Sequence, residues 1–178
     1  ECSTALDSVN KPSAASKTAI SLVDRDIIDV AYRSRDWTPN ADQLTASLYE
    51  AYEVQAITIE GARPHPTTLV QSAAMASVAP PVPSYQPKLP ANLVRDGLLS
   101  DAQIESVVYA GEAHSGFLSG SWKRDTKTGE LVAASEGEGA KLRRGWFLGD
   151  GTGCGKGRQV AGVIMDNWLK GRRKAVWL

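Results

Sequence analysis

The stretch GWFLGDGTGCGKGRQVAGVIMDNW, residues 145–168, holds seven of the chain's sixteen glycines. Five of them, Gly149, Gly151, Gly153, Gly155 and Gly157, alternate with single residues. Glycine loses more backbone entropy on folding than any other residue, so a cluster this dense implies a backbone that must come very close to something. The flanks say what kind of chain carries it. RRGWFLGD has the apolar run of a buried strand, and RQVAGVIMDNWLKG has Val160, Val163, Ile164 and Leu169 at helical spacing, with Gly171 as a stop. KAVWL then reads as the next strand. Strand, loop, helix and strand make a βαβ unit with a right-handed crossover, which predicts an α/β fold.

Strand, glycine-rich loop, Lys and helix is the order in which proteins hold a triphosphate. Consecutive backbone N–H groups cradle the phosphates, the helix start adds partial positive charge, and Lys156 reaches the β and γ phosphates. The candidate nucleotide-binding residues are therefore Asp150, Gly151, Thr152, Gly153, Cys154, Gly155, Lys156, Gly157 and Arg158, with Lys156 also the catalytic candidate. The general Walker A pattern G-x-x-x-x-G-K-[ST] asks for Gly at 150 and a hydroxyl at 157, where this chain has Asp150 and Gly157. The dinucleotide pattern G-x-G-x-x-G fails, because the glycines fall at every second residue and Lys156 takes the last place.

Upstream, the chain is less regular. Residues 1–18 are small and polar and read as a flexible tail or linker. Residues 19–79 read as an accessory α/β segment. Within it ADQLTASLYEAYE has Leu44, Leu48, Ala51 and Tyr52 at helical spacing, VQAITIEGA alternates like a strand ending at Gly61, and HPTTLVQSAAMASV suggests a short helix capped by Thr67 or Thr68. Residues 80–90 hold five of the nine prolines and read as an extended surface linker. In 91–178, LLSDAQIESVVYAGEAH predicts a helix with Ser100 as N-cap and Ile104, Val107, Val108 and Gly111 on one face. FLSGSWKRDTKTGELVAAS predicts a hairpin around DTKTGE.

The last 36 residues resemble the strawberry notch family of helicase-like ATPases, relatives of superfamily 2, in which the loop reads G-D-G-x-G-x-G-K-G-R. Asp150, Gly157 and Arg158 match that variant as they stand. HPTTLVQSAAMASVAPP and LPANLVRDGLLSDAQIESVVYAGEAH also resemble the family, so the likeness runs over roughly residues 57–178. It implies an incomplete RecA-like P-loop NTPase core behind the accessory segment, truncated after its second strand. It also implies ATP hydrolysis coupled to remodelling or translocation on nucleic acid, with DNA favoured over RNA. Bacterial members occur on mobile elements, some fused to a DNA methyltransferase domain, but residues 1–56 carry no methyltransferase signature. In superfamily 2 a Gln ahead of the first core strand reads the adenine edge, which makes Gln103 a candidate; an exposed helical Gln is the alternative. The residues that hold Mg²⁺ and activate water are expected from an acidic motif outside this segment, so no metal ligand is assigned within it. Two other functions stay open: a nucleotide-binding module that does not hydrolyse, consistent with the missing hydroxyl at Gly157, and a small-molecule kinase.

Charge supports a polyanionic partner. The formal net charge is zero, yet residues 141–178 carry nine basic and two acidic side chains. Arg172, Arg173 and Lys174 lie at the far end of the helix from the loop and are the nucleic-acid candidates. Trp146, Trp168 and Trp177 read as core, and His65 and His114 stand alone without metal-ligand spacing. Two distant cysteines, no signal peptide and no apolar run of spanning length predict a cytoplasmic location with no membrane contact. With no initial Met and an apolar end at KAVWL, the chain reads as part of a longer polypeptide, inactive as an ATPase by itself.

Overall fold

A computed structural model describes residues 26–38, 48–135 and 137–178. The chain is mixed α/β, with three-residue strands paired antiparallel in four separate ribbons. β1 (Ile27–Asp29) pairs with β6 (Lys88–Pro90), β2 (Tyr32–Ser34) with β4 (Ile57–Ile59), and β3 (Tyr49–Ala51) with β5 (Val70–Ser72). β7 (Trp122–Arg124) and β8 (Leu131–Ala133) form the expected hairpin around DTKTGE. The helices are α1 (Ala73–Ala76), α2 (Ala91–Arg95), α3 (Asp101–Ser115) and α4 (Lys156–Leu169).

α3 follows its sequence signals closely. Ser100 Oγ accepts from Gln103 N at 3.3 Å, and Gln103 Oε1 accepts from Ser100 N at 3.1 Å, so both ends of a capping box are made. Its face of Ile104, Val107, Val108 and Gly111 is buried. Ile104 and Val108 join Val30, Ile57, Leu89, Val94 and Leu99 in the core.

Four expectations are corrected. The helix over 41–53 is not formed at its described end: Tyr49–Ala51 is strand β3, since pairing with β5 satisfies its backbone groups where helical spacing alone does not. Residues 41–47, and the tail 1–18, lie outside the described residues. The short helix after His65 starts later than expected, at Ala73, and its cap is Ser72 rather than Thr67 or Thr68. The proline-rich stretch is not wholly a surface linker: Leu89 is fully buried, Pro87 and Pro90 with it, and β6 pairs with β1. Neither flank of α4 is a strand. Residues 144–149 and 174–178 are irregular, with Phe147 and Val176 largely exposed, because no described strand offers them an edge. The parallel βαβ unit is therefore seen only as its loop and helix.

A polar stripe also replaces the apolar face expected for α4. The buried positions are Gln159, Gly162 and Asp166, whereas Val160, Val163, Ile164 and Leu169 are half-buried. Gly162 lets α4 lie against α3, since a Cβ there would come within 2.9 Å of Val107 Cγ2. Asp166 is buried through partners: it accepts from Lys88 N at 2.7 Å and from the Tyr85 hydroxyl, and Lys170 Nζ lies 3.4 Å away. Tyr85, Lys88 and Asp166 thus fix the far half of α4 to the start of β6 and the extended segment before it.

Candidate phosphate-binding site

The glycine run has the geometry its composition predicts. Gly153 and Gly155 take left-handed backbone angles, φ +92° and +75°, which favour glycine, and α4 begins immediately after Gly155. No side chain caps the helix start. Gly155 is required twice over, because a Cβ on it would sit 2.4 Å from Gln103 Nε2. At Gly151, Gly153 and Gly157 an added Cβ would meet no described atom within 4 Å, so there is open space beside the loop at each of these positions.

Lys156 is exposed, and its Nζ donates to the carbonyls of Asp150 and Gly151, both at 2.8 Å. The side chain folds back over the loop it follows. Phosphate oxygens are charged acceptors and bind an ammonium more strongly than two neutral carbonyls do. The arrangement is thus a loop with an open face, a helix start and a cation held above them. Arg158 turns away, its Nη1 donating to Leu98 O at 3.4 Å. Thr152 is exposed, and Cys154 contributes through its carbonyl rather than its thiol.

Gln103 comes to this loop, but not as a free amide. It is 3% exposed, its Oε1 is engaged by Ser100 N, and its Nε2 donates to Cys154 O at 3.0 Å. Here it braces the loop against the start of α3 and presents no open edge to a base.

Several residues around the loop were not among the sequence candidates. Gln159 Nε2 donates to Asp150 Oδ2 at 2.7 Å and to Cys154 O at 3.4 Å. Its Oε1 is buried without a hydrogen-bond partner among the described residues, a situation that costs about 1–3 kcal/mol. Glu105, 6% exposed, shares a hydrogen bond with the Tyr52 hydroxyl. Burial pushes the Glu105 carboxyl up to about 7; the Tyr52 bond opposes this, while the Asp101 and Asp150 charges add to it. Burial, then the Glu105 charge, raises the Tyr52 hydroxyl as well. A clue did exist for Gln159: polar, small and polar residues at 159, 162 and 166 mark one helical face.

The basic end of the chain is arranged differently. Arg172 Nη1 donates to Asn167 Oδ1 at 2.9 Å, Arg173 lies 5.8 Å from the Trp168 ring centre, and Lys174 is exposed. Arg143 and Arg144 join Arg172, Lys174 and His114 around an open cleft of about 670 Å³, a convergence that chain order alone conceals. Burial, with Arg143 and Arg172 nearby, holds the His114 imidazole below its usual range. The tryptophans expected in the core are partly exposed: Trp146 and Trp168 at 43% and Trp177 at 63%. Trp146 instead stacks on Tyr109, with ring centres 6.1 Å apart. Among the described residues no helix is long and apolar enough to cross a membrane.

Comparison with known proteins gives the family of the chain. Residues 64–178 match the family described as P-loop containing NTP hydrolase pore-1, beginning ahead of the proline-rich stretch. Protein FORGETTER 1 of Arabidopsis thaliana is 39% identical over 115 residues, which is 65% of this chain and 7% of that protein. The protein strawberry notch homolog of Caenorhabditis elegans is 39% identical over 114 residues, 64% of this chain and 5% of its own length. Protein strawberry notch homolog 1 of Rattus norvegicus is 31% identical over 146 residues, 82% of this chain and 10% of that protein. The chain thus spans a small part of the relatives it matches. No solved structure matches it significantly. With its loop, its lysine and most of its length inside the matched region, the chain belongs to the P-loop containing NTP hydrolase pore-1 family and is one of the strawberry notch relatives.

Proposed function

We propose that this segment is the ATP-binding part of a helicase-like ATPase that couples ATP hydrolysis to remodelling or translocation on nucleic acid, with DNA the favoured substrate. The observation that carries the reading is Lys156 poised over a glycine loop that opens directly into α4. The loop fits a triphosphate because its open face lacks Cβ atoms at Gly151, Gly153 and Gly157. Lys156 would leave the carbonyls of Asp150 and Gly151 for the phosphates and stabilise charge developing on the transferred group. Backbone N–H groups from Gly153 to Gly157 would orient the phosphates. Magnesium, when bound with ATP, neutralises phosphate charge; Gly157 has no hydroxyl to offer it, so its protein ligands belong elsewhere in the polypeptide. Arg172, Arg173 and Lys174 are the proposed nucleic-acid contacts, and residues 91–178 the start of the motor domain.

The test is nucleotide affinity and turnover in the full-length polypeptide with and without Lys156→Ala. Loss of binding or of hydrolysis is expected. Unchanged affinity and turnover would refute the assignment. Wild-type binding with no turnover under any condition would favour a nucleotide-binding module instead.

A further inference from the structure

We infer that Gln159 is a positioning residue for the phosphate loop, holding Asp150 and Cys154 in place when Lys156 swings to the nucleotide. This rests on the nucleotide-binding reading above. Gln159 is 2% exposed on the inner face of α4, one turn into the helix. Its amide orientation is settled by its neighbours: Asp150 Oδ2 at 2.7 Å and Cys154 O at 3.4 Å are both acceptors, so Nε2 must face them. The consequence is a buried Oε1 without a donor among the described residues. Evolution of stability alone would remove such an oxygen, so the value of the amide lies in what Nε2 holds.

Asp150 and Cys154 bracket the loop, and Gln159 ties one to the other. Asp150 is held at two points, its carbonyl by Lys156 Nζ and its carboxylate by Gln159 Nε2. A phosphate that draws Lys156 away breaks the first tie. The second is then what keeps Asp150 from relaxing into the open face of the loop. Cys154 O is also braced by Gln103 Nε2 at 3.0 Å, so the Asp150 end depends on Gln159 more heavily. Gln159 need not touch the nucleotide; it acts through the loop.

The test measures ATP affinity of the full-length polypeptide by calorimetry between pH 5.5 and 8.5, each variant expressed as a ratio to wild type. Gln159→Ala is expected to weaken ATP roughly tenfold, the scale of a lost hydrogen bond to a charged group. Gln159→Glu places a second carboxyl against Asp150. It should bind worst at high pH, where both are ionised, and recover towards wild type as pH falls and the introduced carboxyl becomes a donor. The pair Asp150→Asn with Gln159→Glu reverses donor and acceptor and should restore affinity at pH 8 to within about threefold, with the pH dependence gone. A merely structural residue would give neither the pH profile nor the rescue. Wild-type affinity in Gln159→Ala, or a Gln159→Glu deficit that is indifferent to pH and to Asp150→Asn, would overturn the inference. Lys156→Ala keeps the two readings apart: if it abolishes binding while Gln159→Ala does not, only the positioning role fails.

Discussion

The Tyr85 hydroxyl donates to the buried Asp166 carboxylate at 2.5 Å, joining the extended segment before β6 to the far half of the loop-bearing helix. Lys170 Nζ lies 3.7 Å from the centre of the Tyr85 ring, and Glu112 accepts from Tyr85 N at 2.8 Å. α4 is therefore anchored at its distal half by charge and at its start by the loop. Tyr85→Phe removes one donor from a buried anion and should cost about 1.5–3 kcal/mol of stability. Asp166→Ala leaves the Tyr85 hydroxyl, Lys88 N and Lys170 without their acceptor and should cost more, about 3–5 kcal/mol. Urea denaturation of both variants checks the order, and equal small losses would show that the network is not coupled to folding.

Gly111 makes room for the same tyrosine. A Cβ there would lie 2.0 Å from Tyr85 Cε1, and the ring is held by Asp166 and Lys170 while Glu112 fixes the Tyr85 backbone N–H, so it cannot step aside cheaply. Helix propensity favours Ala over Gly by about 1 kcal/mol, but overpacking costs about 1–3 kcal/mol or more when the neighbour is fixed. Gly111→Ala is thus expected to lower the melting temperature. Gly145→Ala, where an added Cβ meets no described atom within 4 Å, should leave it nearly unchanged.

These anchors explain what was legible in the sequence. Signals that act over three or four residues were readable: the Ser100 N-cap of α3, the turn between β7 and β8, and the alternating glycines that open α4. The buried face of α4 was not, because Gln159 and Asp166 are polar and are buried through hydrogen-bond partners outside the helix, those of Asp166 about 80 positions away. Periodicity likewise offered Leu48, Ala51 and Tyr52 as a helix, where pairing of Tyr49–Ala51 with Val70–Ser72 prevails. The apolar runs at 144–149 and 174–178 have strand composition, but composition supplies no edge to pair with.

Glu105 should make stability depend on pH. Its carboxyl is raised from 4.5 to about 7 by burial first, so between those values the folded state binds more protons than the unfolded chain. Stability is then highest below about pH 4.5 on this account and falls as pH rises through 7, by about 3 kcal/mol in all. Glu105→Gln removes the titration while keeping a group that can bond the Tyr52 hydroxyl. Its denaturation midpoint should be flatter than wild type between pH 5 and 8, and higher than wild type at pH 8. A wild-type profile already flat across that window would show that Glu105 titrates normally.

The basic residues beyond α4 pose a separate question of charge. At about 1.5 Å per residue, α4 sets Arg172, Arg173 and Lys174 roughly 20 Å from Lys156, too far to help hold a phosphate in the loop. Two of them are already placed by neighbours, Arg172 by Asn167 and Arg173 over Trp168, which lowers the entropy lost on meeting a partner. Arg143 and Arg144 add to the same field across the cleft. Reversing all three charges at 172–174 should weaken nucleic-acid binding by the full-length polypeptide for every sequence alike. It should also flatten the log–log salt dependence by up to about 0.9 for each phosphate no longer neutralised. ATP affinity should be unaffected, because the loop lies outside the reach of these side chains. An unaltered salt slope would assign the cluster to solvent and remove the charge argument for a nucleic-acid partner.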